Sequence, residues 1–354
     1  MIMHNRIYGR ITFSAFVTIG FAIFSSAILS TPGRAQGILP ESIPLSSPDQ
    51  NSPNIAIPLL HKGTLYWAQI KRPDESAATT TQMSGQAIAT NVYRLADVNH
   101  LTGTYLYQTN DGGDNEDPKH VTTWLGDSSH KPTRLYAGAG YVKLSPGGTY
   151  IAVTDKDGVL RVIDREGRER AILGKANNAI FSPDGTKLAF FKTIPYTVSD
   201  AGGIVVIDLV SGQTLATYDP DGAPYIPLAF EDDGATLYFA ANSGPAFKNG
   251  DLSSQNRVDV YALTLMRNTL LRLVTTGVDK LPYIEYARTE YLSGLHLLAL
   301  FAEDTMWILN IQTGDIQVFP DVVDIFRVGS SNMLLGRAKT RSTSNQSWNV
   351  MAIH

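Results

Sequence analysis

The chain has 354 residues, 43% of them apolar and 18% charged, with a net charge of −4. That is enough apolar material for one large core or two modest ones, and it excludes a disordered chain. The 29 Lys and Arg are scattered and leave no basic footprint for nucleic acid, while the lack of Cys excludes disulfides, a lipid-modified cysteine and thiolate chemistry.

The first segment in the chain concerns export. Arg6 and Arg10 precede an apolar stretch over residues 11–29, and Gly33-Arg34-Ala35 offers a weak small-x-small cleavage site. Residues 1–35 read as a secretory signal peptide or an uncleaved N-terminal anchor, and the interspersed serines and threonines favour the signal peptide. The remainder is then expected in the periplasm or otherwise exported, touching the membrane only through this segment if it is uncleaved. Residues 36–54, rich in Pro and Ser, read as a tether.

Residues 55–354 carry strand signals throughout. The sequence FSPDGTKLAF at 181–190 reads as strand, tight turn, strand, and it recurs as VKLSPGGTYIAVT at 142–154 and LAFEDDGATLYFAA at 228–241. Looser copies lie at 93–109, 284–302 and 325–338. Gly supplies positive φ in such turns, and Asp and Ser bond their own backbone. A second hairpin follows most copies, as in VLRVIDREGRERAIL at 159–173 and IVVIDLVSGQTLATY at 204–218. Two hairpins make a four-stranded antiparallel unit. Tandem units of this size without helical periodicity predict an all-β fold, a β-propeller.

Six repeats are read, at 91–138, 139–174, 175–222, 223–278, 279–320 and 321–354, and the last supplies three strands. A strand within residues 55–70 (IAIPLLHKGTLYWAQI) is expected to complete it, because an open edge invites association. Six blades are favoured; if 55–70 forms a blade of its own, the count becomes seven.

SPDGTKLAF, SPGGTYIAV and the VIDREG and IDLVSGQ hairpins resemble the repeats of TolB-like periplasmic propellers, relatives of the WD-repeat propellers without the WD dipeptide. The likeness covers most of 91–354 and is sharpest in the second and third repeats. It implies a propeller with a binding or scaffolding role. The α/β domain that precedes the propeller in TolB has no counterpart expected here.

Strand alternation places the connections between second and third strands on one face. Four of these are long, at 109–119, 192–203, 242–257 and 338–347. Pro224-Tyr225-Ile226 and Pro282-Tyr283-Ile284 occupy equivalent repeat positions on the same face, preceded by Asp221 and Asp279. Together with Tyr196, Phe247 and Arg341 they form the candidate partner-binding set, because aromatic residues and Arg dominate interfaces. The alternative is that the tyrosines pack between blades.

The acidic run at 110–117 lacks the EF-hand spacing and reads as a solvated turn, so no metal is expected. The seven histidines show no H-E-x-x-H pattern, and there is no G-x-S-x-G elbow. Glu285 and Asp324 are the ionisable residues nearest the inner strands. The function expected is an exported, monomeric, non-catalytic module that binds a protein or cell-envelope component without a cofactor. The alternative is a lyase or hydrolase acting on saccharide or peptide in a central channel.

Overall fold

The computed structural model describes residues 54–61, 63–71, 79–82, 84–99, 102–112, 117–192, 203–218, 225–242, 258–265, 270–273, 288–302, 305–320, 322–327, 334–338 and 347–353. Within these the chain is built of antiparallel strands, and the helices are single 3-10 turns such as Pro118–His120.

β1 (Asn54–His61) and β2 (Thr64–Lys71) form a hairpin that turns through Gly63 at φ 73°. β3 (Thr79–Gln82) leaves this sheet, and β4 (Ser84–Ala89) returns to pair with β2. The first sheet therefore has three strands, in the order β1-β2-β4. Next come β5 (Val92–Asn99), β6 (Thr104–Asn110), β7 (Val121–Gly126) and β8 (Thr133–Ala137), paired in chain order.

A seven-stranded sheet follows, comprising β9 (Ala139–Leu144), β10 (Tyr150–Asp155), β11 (Val159–Asp164), β12 (Glu169–Phe181), β13 (Lys187–Lys192), β14 (Ile204–Asp208) and β15 (Thr214–Tyr218). β12, 13 residues long, pairs with β11 through its first half and with β13 through its second. It thus ends one repeat and opens the next. Two four-stranded sheets continue in chain order. The first has β16 (Tyr225–Phe230), β17 (Thr236–Asn242), β18 (Val258–Thr264) and β19 (Leu270–Leu273). The second has β20 (Arg288–Leu292), β21 (Leu297–Ala302), β22 (Thr305–Asn310) and β23 (Ile316–Pro320). β24 (Val322–Arg327), β25 (Leu334–Ala338) and β26 (Ser347–Ile353) form the last sheet, with β3 as its fourth strand.

This pairing corrects one expectation. Residues 55–70 do not join the last repeat; they fold on themselves, and Thr79–Gln82 pairs with β26 instead, with Thr81 opposite Trp348. The tight turn at 61–64 closes β1 on β2 at little loop entropy. A run of three threonines suits an outer strand, where β-branched side chains favour extended backbone. Residues 54–89 thus add a sheet of their own to those of the six repeats.

The core lies between successive repeats. Along β10, Tyr150 and Ala152 pack with Leu188 and Phe190 of β13, while Ile151 and Val153 pack back onto Leu106 and Leu125. β13 repeats the pattern, since Ala189 and Phe191 pack forward onto Leu237 and Phe239. β17 does the same with Tyr238 and Ala240, which meet Leu298 and Leu300. A strand buried on both faces loses the apolar–polar alternation of a half-exposed one, which is why second strands read as continuous apolar runs.

Candidate functional site

The strands that open five of the repeats run in one direction. The C-terminal ends of β5, β9, β12, β16 and β20 converge on a shared cavity of about 250 Å³. Asp97, Lys143 and Glu290 contribute charge to its wall, and Phe181, Leu228 and Tyr291 contribute apolar surface. Because the sheets are antiparallel, the turns between first and second strands lie at this end. The connections after β6, β13 and β17 leave from the opposite end.

Side chains on the first and second strands stitch one repeat to the next. Asp97, 6% exposed, accepts the Leu144 N–H at 2.8 Å and pairs with Lys143 Nζ at 3.1 Å. Asn99 donates to the carbonyls of Ser145 and Pro146, and Arg94 donates to Gly140 O. Gln108, fully buried, donates to Thr123 Oγ1 at 3.0 Å and Ala139 O at 3.1 Å, and it accepts from Arg94. Further along, the Tyr141 hydroxyl donates to Ala179 O at 2.8 Å, with burial pushing its pKa up to about 12. Thr289 donates to Leu228 O. The charged pair in this cavity wall is therefore committed to holding β5 against β9.

Among the described residues, the turns between third and fourth strands at 127–132, 164–168, 208–213 and 310–315 share one device. Each begins with Asp or Asn, whose side chain accepts a backbone N–H two or three residues on. Asp127 takes Ser129 N, Asp164 takes Glu166 N, Asp208 takes Ser211 N and Asn310 takes Gln312 N, all within 3.0 Å. Burial opposes ionisation at Asp164, but the Arg168 N–H and the Arg168 and Arg170 guanidiniums outweigh it and hold the carboxyl at about 2. Asp127 also lies at about 2, where burial is outweighed by donors on Ser129 and His130.

Of the sequence-derived partner set, Tyr196, Asp221, Phe247, Asp279, Tyr283 and Arg341 lie outside the described residues. Tyr225 opens β16, opposite Ala241, at the end away from the 250 Å³ cavity. The side chain of Tyr225 is likewise outside the description, as is Glu285, and the backbone of Asp324 pairs with Arg337. His120 meets Asp111 and His130 meets Asp127, each at 3.0 Å, so these two histidines serve separate turns. In the acidic run, Asn110 accepts Gly112 N, while Asp117 accepts Lys119 N and pairs with its ammonium. No group of three metal-ligating side chains occurs among the described residues. Among them, too, no helix is long and apolar enough to cross a membrane; the stretch at 11–29 lies outside.

Sequence reading missed Asp97, Lys143 and the convergence of first-strand ends. A single Asp in LADVN carries no motif, and its partners stand 46 and 47 residues away.

No family model matches the chain, and no curated protein matches it. Among solved structures, the tricorn protease is similar with a TM-score of 0.50 at 9% identity, over 86% of this chain and 33% of that one. The fold is all-β and propeller-like. TolB from Acinetobacter baumannii aligns with a TM-score of 0.45 at 14% identity, over 70% of this chain and 66% of that one. Sqt1 of Chaetomium thermophilum, bound to the N-terminus of ribosomal protein L10, aligns with a TM-score of 0.46 at 14% identity, over 77% of this chain and 76% of that one. The chain thus spans a third of the tricorn protease chain and about two thirds of TolB. At these identities the likeness concerns the fold alone.

Proposed function

We propose that this chain is an exported, monomeric, non-catalytic β-propeller of TolB-like repeats that binds a protein or cell-envelope partner through its long-connection face. Its blades would be seven: the six repeats plus the sheet of residues 54–89, with β3 completing the last blade. One observation carries the reading. The shared direction of the first strands puts the C-terminal ends of β6, β13 and β17, from which three long connections leave, at one end, and the backbone start of β16 at Tyr225 lies at that end too. Insertions presented together by a rigid scaffold are where binding function concentrates. The commitment of Asp97 and Lys143 to inter-sheet bonds favours binding over chemistry at the other end.

The test is the double variant Tyr225→Ala, Tyr283→Ala, assayed for capture of a partner from envelope extract and for thermal melting. As exposed anchors, the tyrosines should cost tenfold or more in partner affinity, with little change in melting. Lost stability of about 3–5 kcal/mol with unchanged affinity would mark them as packing residues and end this assignment.

A further inference from the structure

We propose that the cavity over the Trp67 face of the first sheet binds a neutral saccharide, a β-linked disaccharide unit of gluco configuration. The site lies apart from the long-connection face, so this inference goes beyond the reading above and stands or falls separately.

The cavity measures about 910 Å³, within the roughly 300–1,000 Å³ of small-molecule clefts. Trp67 of β2 and Gln86 of β4, opposite each other in the ladder, line it from the first sheet, beside a bulge at Ile88. Tyr105 and Tyr107 of β6 line it from the second sheet, and the turn at 127–132 supplies the remaining wall.

The two tyrosines are the feature that calls for a ligand. They are 1% and 4% exposed, yet neither hydroxyl has a hydrogen-bond partner among the described residues. Buried polar groups are almost always paired, so the partner of these two belongs to whatever occupies the cavity. The ring tip of Tyr105 lies against Gly126, which leads into the turn that walls the site. Burial, with Tyr107 and Asp127 nearby, pushes the Tyr105 hydroxyl up to about 12, and burial raises Tyr107 as well. Both stay protonated and can donate as well as accept.

The surrounding groups narrow the class. Tyr105 stacks on Tyr107 and Tyr107 on Trp124, with ring centroids 6.4 and 6.1 Å apart. These rings cover one another's faces, which removes the open aromatic cage a cation needs and leaves hydroxyls for the ligand. Trp67 is half-buried and keeps ring surface toward the cavity. Among the described lining residues, Asp127 and Lys131 carry opposite charges, and Asp127 is already engaged by Ser129, His130 and Arg165. That balance favours a neutral ligand. A gluco-configured sugar matches the set: its axial C–H groups form an apolar face for the indole, and its equatorial hydroxyls donate and accept at the phenols.

Isothermal titration calorimetry of the full-length chain with cellobiose and with N,N′-diacetylchitobiose tests this. Saturable one-site binding of at least one of them is expected. Trp67→Ala should weaken it about tenfold or more, as should Tyr105→Phe combined with Tyr107→Phe. The double Phe variant keeps the rings and removes only hydroxyls that bond to nothing in the chain, so its melting should be unchanged. Absence of saturable heat with both sugars overturns the proposal, as does unaltered affinity in the double Phe variant. A marked drop in that variant's melting also overturns it, since the hydroxyls would then be paired within the protein. The Tyr225→Ala, Tyr283→Ala variant should bind the sugar normally, so failure of the long-connection reading and failure of this one are separable.

Discussion

Asp164 shows how a turn in this protein is held by charge. Its carboxylate is 3% exposed and accepts two backbone N–H groups and two guanidiniums. Asp164→Asn keeps the shape but removes the charge-assisted bonds, so a loss of about 1–3 kcal/mol is expected in denaturant unfolding. The pH dependence follows from the same groups. Asp127 and Asp164 both have folded values of about 2 against an ordinary 3.8, so each favours the folded state above pH 3.8. That contribution is lost as pH falls from about 4 through 2, because the unfolded chain takes up protons first. Melting followed by circular dichroism from pH 5 to 2 should fall less steeply in a variant with Asn at both positions. An equal slope would show that other carboxylates govern acid sensitivity.

At the scale of elements, stability rests on close approach between neighbouring strands and sheets. A Cβ added at Gly126, at the end of β7, would stand 2.5 Å from the ring of Tyr105, itself 1% exposed. Gly126→Ala should therefore cost about 1–3 kcal/mol through overpacking, and an unchanged unfolding midpoint would show that the ring swings aside freely. Phe190 on β13 is a second measure, since it packs with Leu160 and Val162 between the second and third repeats. Phe190→Ala should cost about 3–5 kcal/mol, read from the same midpoint.

For the molecule as a whole, the decisive pairing joins β3, early in the described chain, to β26, its last strand. Thr80 and Thr81 face Asn349 and Trp348, and adjacent N–H groups in a strand point to opposite sides. Replacing both by Pro removes a ladder bond to β26 whichever of them makes it. Thermal melting should drop by about 2–4 °C for each kcal/mol lost, with association through the freed edge of β26 visible in light scattering. Unchanged melting and a monodisperse sample would mean that this pairing contributes little to stability.

Strand content and the Asp- and Ser-led turns were legible in the sequence alone, because those depend on local alternation and on Gly, Asp and Ser within a few residues of each other. FSPDG turns as expected, with Gly185 at φ 69° and Ser182 Oγ accepting Lys187 N. Tertiary structure alone decided which strand completes the last sheet, since TTTQ is too short and polar to announce a strand and its partner lies more than 260 residues away. It also decided that Asp97, Lys143 and Asn99 work together across β5 and β9. The reason is physical: hairpins form from neighbouring residues at small entropic cost, whereas contacts between sheets depend on where the whole chain has placed its faces.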